Sequence, residues 1–241
     1  MILTIREIWQ KVLRWNEVVS LIYTSELFDF SRSRAGSFLM QYAYPWEALP
    51  HLRAQLVTLG ASLPAERFEK RGEDVWIAKS ARVDASAVIV GPCIIDEEAE
   101  IRVGAFLRGS VLVGRRAVVG NSTELKNALL FDEVQVPHYN YVGDSVLGYH
   151  AHLGAGAITS NVKGDKSNVI VKHGEALYPT GLRKCGAMLG DGAEIGCGCV
   201  LNPGTVIGRG TQIYPLCSVR GVVPAGHIYK NDGTVVPRRS E

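Results

Sequence analysis

The sequence predicts a mainly β chain: a parallel β-helix built from six-residue repeats over residues 71–241, preceded by a short helical segment over residues 1–70. Three observations predict it. An aliphatic residue recurs at every sixth position, a small residue recurs four places after it, and glycine is confined almost wholly to the same region. Of the 26 glycines, Gly36 and Gly60 alone fall in the first seventy residues.

The six-residue beat falls on Ile77, Val83, Ile89, Ile95, Ile101, Leu107, Val113, Val119, Leu125 and Phe131. It returns at Leu147 and Leu153, and again at Leu189, Ile195, Leu201, Ile207, Ile213 and Val219. Ala81, Ala87, Cys93, Ala99, Ala105, Ala193, Cys199, Thr205, Thr211 and Cys217 follow their beats by four. A helix repeats near 3.6 residues, so a strict six excludes it. Six residues fit one short strand and one tight corner, with the aliphatic side chain inside and the small one at the corner. Three such sides close a triangular coil, and stacked coils bury one another's faces. Two stretches depart from the pattern. "FDEVQVPHYNYVGD", from Phe131 to Asp144, replaces the beat with proline, histidine and tyrosines, as a segment that leaves its repeat to present His138 and Tyr141. Thr159 to Met188 is too long for a corner and is predicted to be extruded as a loop.

The N-terminal segment reads as helical. Ile5, Ile8, Val12, Trp15, Val18 and Val19 form an apolar stripe at spacings of three and four. A second helix fits "PWEALPHLRAQLVTLG", opened by Pro45 and stopped by Gly60, with Pro50 ending or kinking its first turn. "SRSRAGS" reads as the loop between them, and no glycine-rich phosphate cradle occurs here.

Composition excludes several classes of function. A net charge of +2 gives no concentrated basic face for nucleic acid. The first twenty residues carry charges throughout, unlike a signal peptide, and no stretch reaches the apolar length of a membrane span. Five cysteines, an odd number, predict free thiols in a reducing cytoplasm. Cys93, Cys199 and Cys217 hold the small corner position and read as packing residues; Cys185, in the long loop, is the one placed to be exposed. The terminal "VVPRRSE" reads as a solvated tail.

Candidate chemistry gathers near the first departure. Arg108 and Lys126 each follow a beat and are eighteen residues apart, so they stack on one outer face. Two such cations repel unless an anion binds between them, and a sugar phosphate would supply one. Acetyl transfer to an amine needs a base, and the imidazole of His138 is the candidate to accept that proton. His150 and His152 read as lying on one side of a strand, a geometry open to zinc. No pair of histidines lies five apart, however, and no metal is predicted.

The six-residue pattern resembles the hexapeptide-repeat family, which implies a left-handed parallel β-helix. "ELKNALL", "VPHYNYVGD" and "LGAGAITSN" look like the acetyltransferase half of bifunctional sugar-1-phosphate enzymes, and "TGLRKCGAMLGDGAEIG", "NPGTVIG" and "YPWEALP" are similar to their archaeal-type members. The resemblance implies acetyl-CoA as cosubstrate and an amino-sugar phosphate as acceptor. It assigns His138 as general base and gives Asn161 a contact to substrate or acetyl group. Arg108, Lys126, Tyr141 and Lys166 would hold the sugar phosphate, and Ala155 would line the acetyl-CoA shelf. It also implies a homotrimer with sites between subunits. The chain departs from the pattern at His152, where bacterial members have asparagine, and at Ile170, where archaeal-type members have a second lysine. The glycine-rich nucleotidyltransferase signature is absent, so a separate nucleotidyltransferase is a candidate partner. A non-catalytic module that binds a sugar phosphate or sugar nucleotide and assembles with such a partner is the alternative reading.

Overall fold

Strands in this chain are two to seven residues long, and nearly all pair in parallel with the strand one coil away. The computed structural model describes residues 22–239; the predicted first helix, Ile5 to Val19, lies outside them. The described chain is a β-solenoid with three faces. The first carries Ile95, Val113, Leu130, Leu147, Leu189 and Ile207 in register. The second carries Ile101, Val119, Val136, Leu153 and Ile195, and the third Leu107, Leu125, Val142, Thr159 and Leu201. The side chains of all three sets are buried to within a few per cent of completely, so the beat marks the core.

The repeat does not break at Phe131. It slips by one residue, twice, at the same corner. Leu125 is followed by Leu130 rather than Phe131, and Val142 by Leu147, because the strands Glu124–Leu130 and Tyr141–Leu147 run through the corner between the third and first faces. Asn127 and Asp144 turn those corners with φ of 48° each, a left-handed conformation that Asn and Asp tolerate better than other side chains. Val136 and Val142 keep the beat in between, so residues 131–144 remain part of the solenoid wall. Phe131 is displaced outward, where its ring packs 5.2 Å from that of Phe28.

Residues 22–63 form a layer over the first face. A 3-10 turn from Pro45 to His51, holding Pro50, leads into an α-helix from Leu52 to Ala61. Gly60 lies inside the last turn instead of ending it, and the indole of Trp76 fills the place where a side chain would be. "SRSRAGS" is more ordered than a loop, with a 3-10 turn at Phe30–Arg32 and a helical turn at Gly36–Leu39. Trp46, Leu49, Leu52 and Leu56 are buried in the common core, each worth about 2 kcal/mol of transfer free energy. Polar fastenings fix the layer's register. The Arg34 guanidinium donates two 2.7 Å bonds to buried Asp96, Asp132 donates its amide to the Arg32 carbonyl, and Asp191 accepts the Asp29 amide at 2.7 Å. First-face strands are consequently buried on both sides, whereas on the third face Val88–Val90 has a half-buried centre and open flanks and Phe106–Arg108 a buried centre and open flanks.

The long segment after Thr159 contains its own antiparallel hairpin of Ile170–His173 with Ala176–Pro179. Val169 and Val171 bury its base against the lower coils. Cys185, expected to be accessible there, is buried; Cys197 is the exposed cysteine. Cys93, Cys199 and Cys217 are buried, as packing residues should be. Among the described residues no helix is long and apolar enough to cross a membrane.

Candidate functional site

The outward positions of the third face form two columns. Just before the beat come Phe106, Glu124, Tyr141 and Ile158; just after it come Arg108, Lys126, Gly143, Ser160, Asn202 and Arg220. Arg108 and Lys126 are therefore neighbours on one outer face, as predicted. Their counter-charges come from the chain itself, however: Arg108 Nη1 donates to Glu124 Oε1 at 2.5 Å, and Lys126 Nζ lies 3.3 Å from Asp144 Oδ2.

Asp144 is the hub of the site. Its carboxylate accepts from Lys126, from Asn127 Nδ2 at 2.9 Å and from Asn161 Nδ2 at 2.5 Å, and the residue is 4% exposed. Asn161 also donates to the Tyr141 hydroxyl at 3.2 Å. Three donors, from the coils before and after its own, thus meet around one carboxylate, as a desolvated anion requires. Gly143 makes the meeting possible, since a Cβ there would lie 2.5 Å from the Tyr141 hydroxyl and 2.8 Å from Asn161 Nδ2. Burial pushes the Tyr141 hydroxyl up, and the nearby carboxylates of Asp144 and Glu124 add to it, so the group is a neutral donor near pH 7. The Cys185 thiol, pushed up to about 12 by burial first and the Asp144 charge second, is unreactive.

The structure brings together Arg108, Lys126, Tyr141 and Asn161, and leaves three candidates outside. His138 ends the strand Gln135–His138 on the second face, opposite Asn121, with its ring exposed and without a hydrogen bond or ion pair among the described residues. Its backbone is fixed by the Asn140 side chain, which bonds the carbonyls of Gly154 and Ala157 one coil below. Ala155 is exposed at the next corner, beside a second-face groove of about 290 Å³ lined by His152, Gly154, Glu194, Cys197 and Tyr214. Lys166 turns an exposed corner of the long loop. His150 and His152 do not share a strand. His150 lies in a turn with φ of 57°, while His152 is in the wall, its Nδ1 2.9 Å from Glu194 Oε2. No cluster of three or more metal-ligating side chains occurs among the described residues.

Asp144 was not singled out from the sequence, nor were Glu124 and Gly143. The signal was present in the spacing. Following the beat through Val136 and Val142 places Asn127 and Asp144 one coil apart at the same corner.

A family model described as the GMPPB C-terminal domain matches residues 89–175. A GlmU bifunctional protein of Methanococcus maripaludis (strain S2) is 32% identical over 180 residues, covering 66% of this chain and 43% of that protein. A bifunctional sugar-1-phosphate nucleotidylyltransferase/acetyltransferase of Sulfurisphaera tokodaii is 31% identical over 174 residues, covering 65% and 43%. The uncharacterized acetyltransferase YaiX of Escherichia coli O6:K15:H31 is 33% identical over 158 residues, covering 66% of this chain and 68% of that one. The chain belongs to the hexapeptide-repeat acetyltransferase family. Its match to the bifunctional members corresponds to their acetyltransferase half, and it spans less than half of their length.

Proposed function

We propose that the chain is an acetyl-CoA-dependent N-acetyltransferase acting on an amino-sugar 1-phosphate, glucosamine- or galactosamine-1-phosphate. The observation that carries this reading is the bonded set Lys126–Asp144–Asn161–Tyr141 beside Arg108, with the uncommitted imidazole of His138 at the adjoining corner. The similarity to the bifunctional sugar-1-phosphate nucleotidylyltransferase/acetyltransferase of Sulfurisphaera tokodaii supports it.

In this reading Arg108 and Lys126 hold the phosphate, assisted by the Tyr141 hydroxyl and Lys166. Arg108 is the readier of the two cations. Its side chain is 45% exposed, and an ion pair so open to solvent is weak, so exchange for a phosphate costs little. The His138 imidazole takes the proton of the sugar amine as nitrogen attacks the thioester carbonyl. Asn161 contacts the acetyl group, where an amide donor can stabilise the oxyanion. Collapse breaks the C–S bond, and the departing thiolate of CoA takes up a proton. The narrow second-face groove beside Ala155 accommodates the pantetheine arm. A homotrimer supports the geometry, since the exposed Val88, Val90 and Phe106 on the third face offer an apolar surface for a neighbouring subunit.

The test is CoA release followed by chromatography, with acetyl-CoA and glucosamine-1-phosphate, galactosamine-1-phosphate or free glucosamine. Turnover confined to the phosphorylated sugars is expected, and His138→Ala should lower it by about 100- to 10,000-fold. The same variant should change folding stability by less than about 0.5 kcal/mol, because the ring is exposed and unbonded. A folded chain with no turnover on any sugar removes the enzyme reading and leaves the binding module.

A further inference from the structure

The corner between the second and third faces is lined on its inner side by small residues. Ala105, Thr123, Asn140 and Ala157 fill it from above, and Cys199 and Cys217 fill it below. The two cysteines lead into the last strands of the third face, Val200–Leu201 and Ser218–Val219. Those strands pair in parallel with Val200 opposite Ser218, so the cysteines directly before them stand opposite as well. The Val200 amide donates to the Cys217 carbonyl at 2.9 Å. Paired strands lie about 4.8 Å apart, inside the window of about 4.4–6.8 Å that a disulfide spans between Cα atoms. The two thiols are within hydrogen-bonding reach of each other. Cys93, buried at another corner, has no such neighbour, standing between Val75 and Val111.

Both thiols also hold the wall beside them. Cys199 Sγ donates to the Tyr214 carbonyl at 3.1 Å, and Cys217 Sγ faces the Pro215 carbonyl at 3.8 Å. Tyr214 and Pro215 line the second-face groove, so two S–H groups from one corner support one strip of that groove. The Pro215 carbonyl has a second donor in Asn231 Nδ2, at 2.5 Å, which leaves the Tyr214 carbonyl the more dependent on sulfur. Burial pushes both thiols up, and the Asp232 charge adds to the rise at Cys217, so the resting pair is protonated and neutral.

We propose that Cys199 and Cys217 are a peroxide-responsive dithiol that closes to a disulfide and releases the Tyr214 strip of the groove wall. Cys217, 4% exposed against none for Cys199, is reached first. Its sulfur attacks one oxygen of hydrogen peroxide, the O–O bond breaks, and a sulfenic acid and one water form. The Cys199 sulfur then attacks the Cys217 sulfur, the S–O bond breaks, and a second water leaves. Two thiols and one peroxide thus become one disulfide and two waters. Neither sulfur then carries a hydrogen, and the Tyr214 carbonyl loses its donor. The site stands independently of the acetyl-transfer reading.

Peptide mapping of the full, native chain tests it, with and without hydrogen peroxide, after free thiols are blocked with N-ethylmaleimide. Arg209 lies between the two cysteines, so trypsin separates them unless sulfur joins them. A link between residues 185–209 and residues 210–220 is expected after peroxide, reversed by dithiothreitol, lost in Cys199→Ser and in Cys217→Ser, and kept in Cys197→Ser. Amide hydrogen exchange of residues 210–220 should rise several-fold on oxidation, with that of residues 111–130 unchanged. Oxidation of Cys197 with no linked peptide, a link that runs from Cys185 or Cys197, or a correct link with unaltered exchange each overturns the proposal. Cys217→Ala, the residue this corner carries at Ala105 and Ala157, takes the place of the serine variant if that chain does not fold.

Discussion

At the upper end of the third face Arg108 and Lys126 are each held by a carboxylate of the chain, Glu124 and Asp144; at its lower corner Cys199 and Cys217 face two backbone carbonyls. Both stack polar groups one coil apart, yet they are different devices. The upper end stores its charge in a bonded network that fixes side-chain positions before any ligand arrives. The lower pair is neutral and holds the wall by weak thiol donors, which can be given up for a bond between the sulfurs. Paired basic residues one coil apart do not by themselves indicate a vacant anion site, because strand pairing brings the chain's own acids to the same place.

Breaking the upper network should have the largest effect. Asp144→Ala leaves Lys126, Asn127 and Asn161 facing an empty centre in a largely buried site and should cost about 3 kcal/mol, read as a shift in the denaturation midpoint. Gly143→Ala separates geometry from stability. The new methyl group must push aside the ends of the Tyr141 and Asn161 side chains, at a cost of about 1 kcal/mol, while CoA release falls far more than stability does. A stability loss as large as that of Asp144→Ala would show that Gly143 serves the fold and not the site. The smallest effect belongs to the lower corner. Cys197→Ser, at the exposed cysteine beside the pair, should change stability by less than about 0.5 kcal/mol and leave the peroxide-driven link intact.

Most of the fold was legible because the repeat is a geometric constraint with many copies. Each inward aliphatic residue reports the same six-residue side, so an error at one position is corrected by its neighbours. The shortened corners were not legible, since a rigid count of six placed the tenth beat on Phe131 and made Val136 and Val142 look like an interruption. Arg108, Lys126, Tyr141 and Asn161 could be placed together from spacing and resemblance. Asp144 could not, because its importance comes from a backbone conformation at a corner that the count had skipped. The cysteine pair was half legible: the count gave Cys199 and Cys217 the small corner position, but a repeat does not say where a thiol hydrogen points, here to the Tyr214 and Pro215 carbonyls.

The layer of residues 22–63 has a mechanical consequence. Solenoids are quasi-one-dimensional, and their end coils can melt without disturbing those further along. Here Arg34 grips Asp96, Arg32 meets Asp132, and Leu27 and Asp29 meet Asp191, so one segment is fastened from the coil of Ile95 to that of Leu189. Such a splint ties the fate of distant rungs together. It should turn a chain able to fray from its ends into one whose middle coils loosen in a single step.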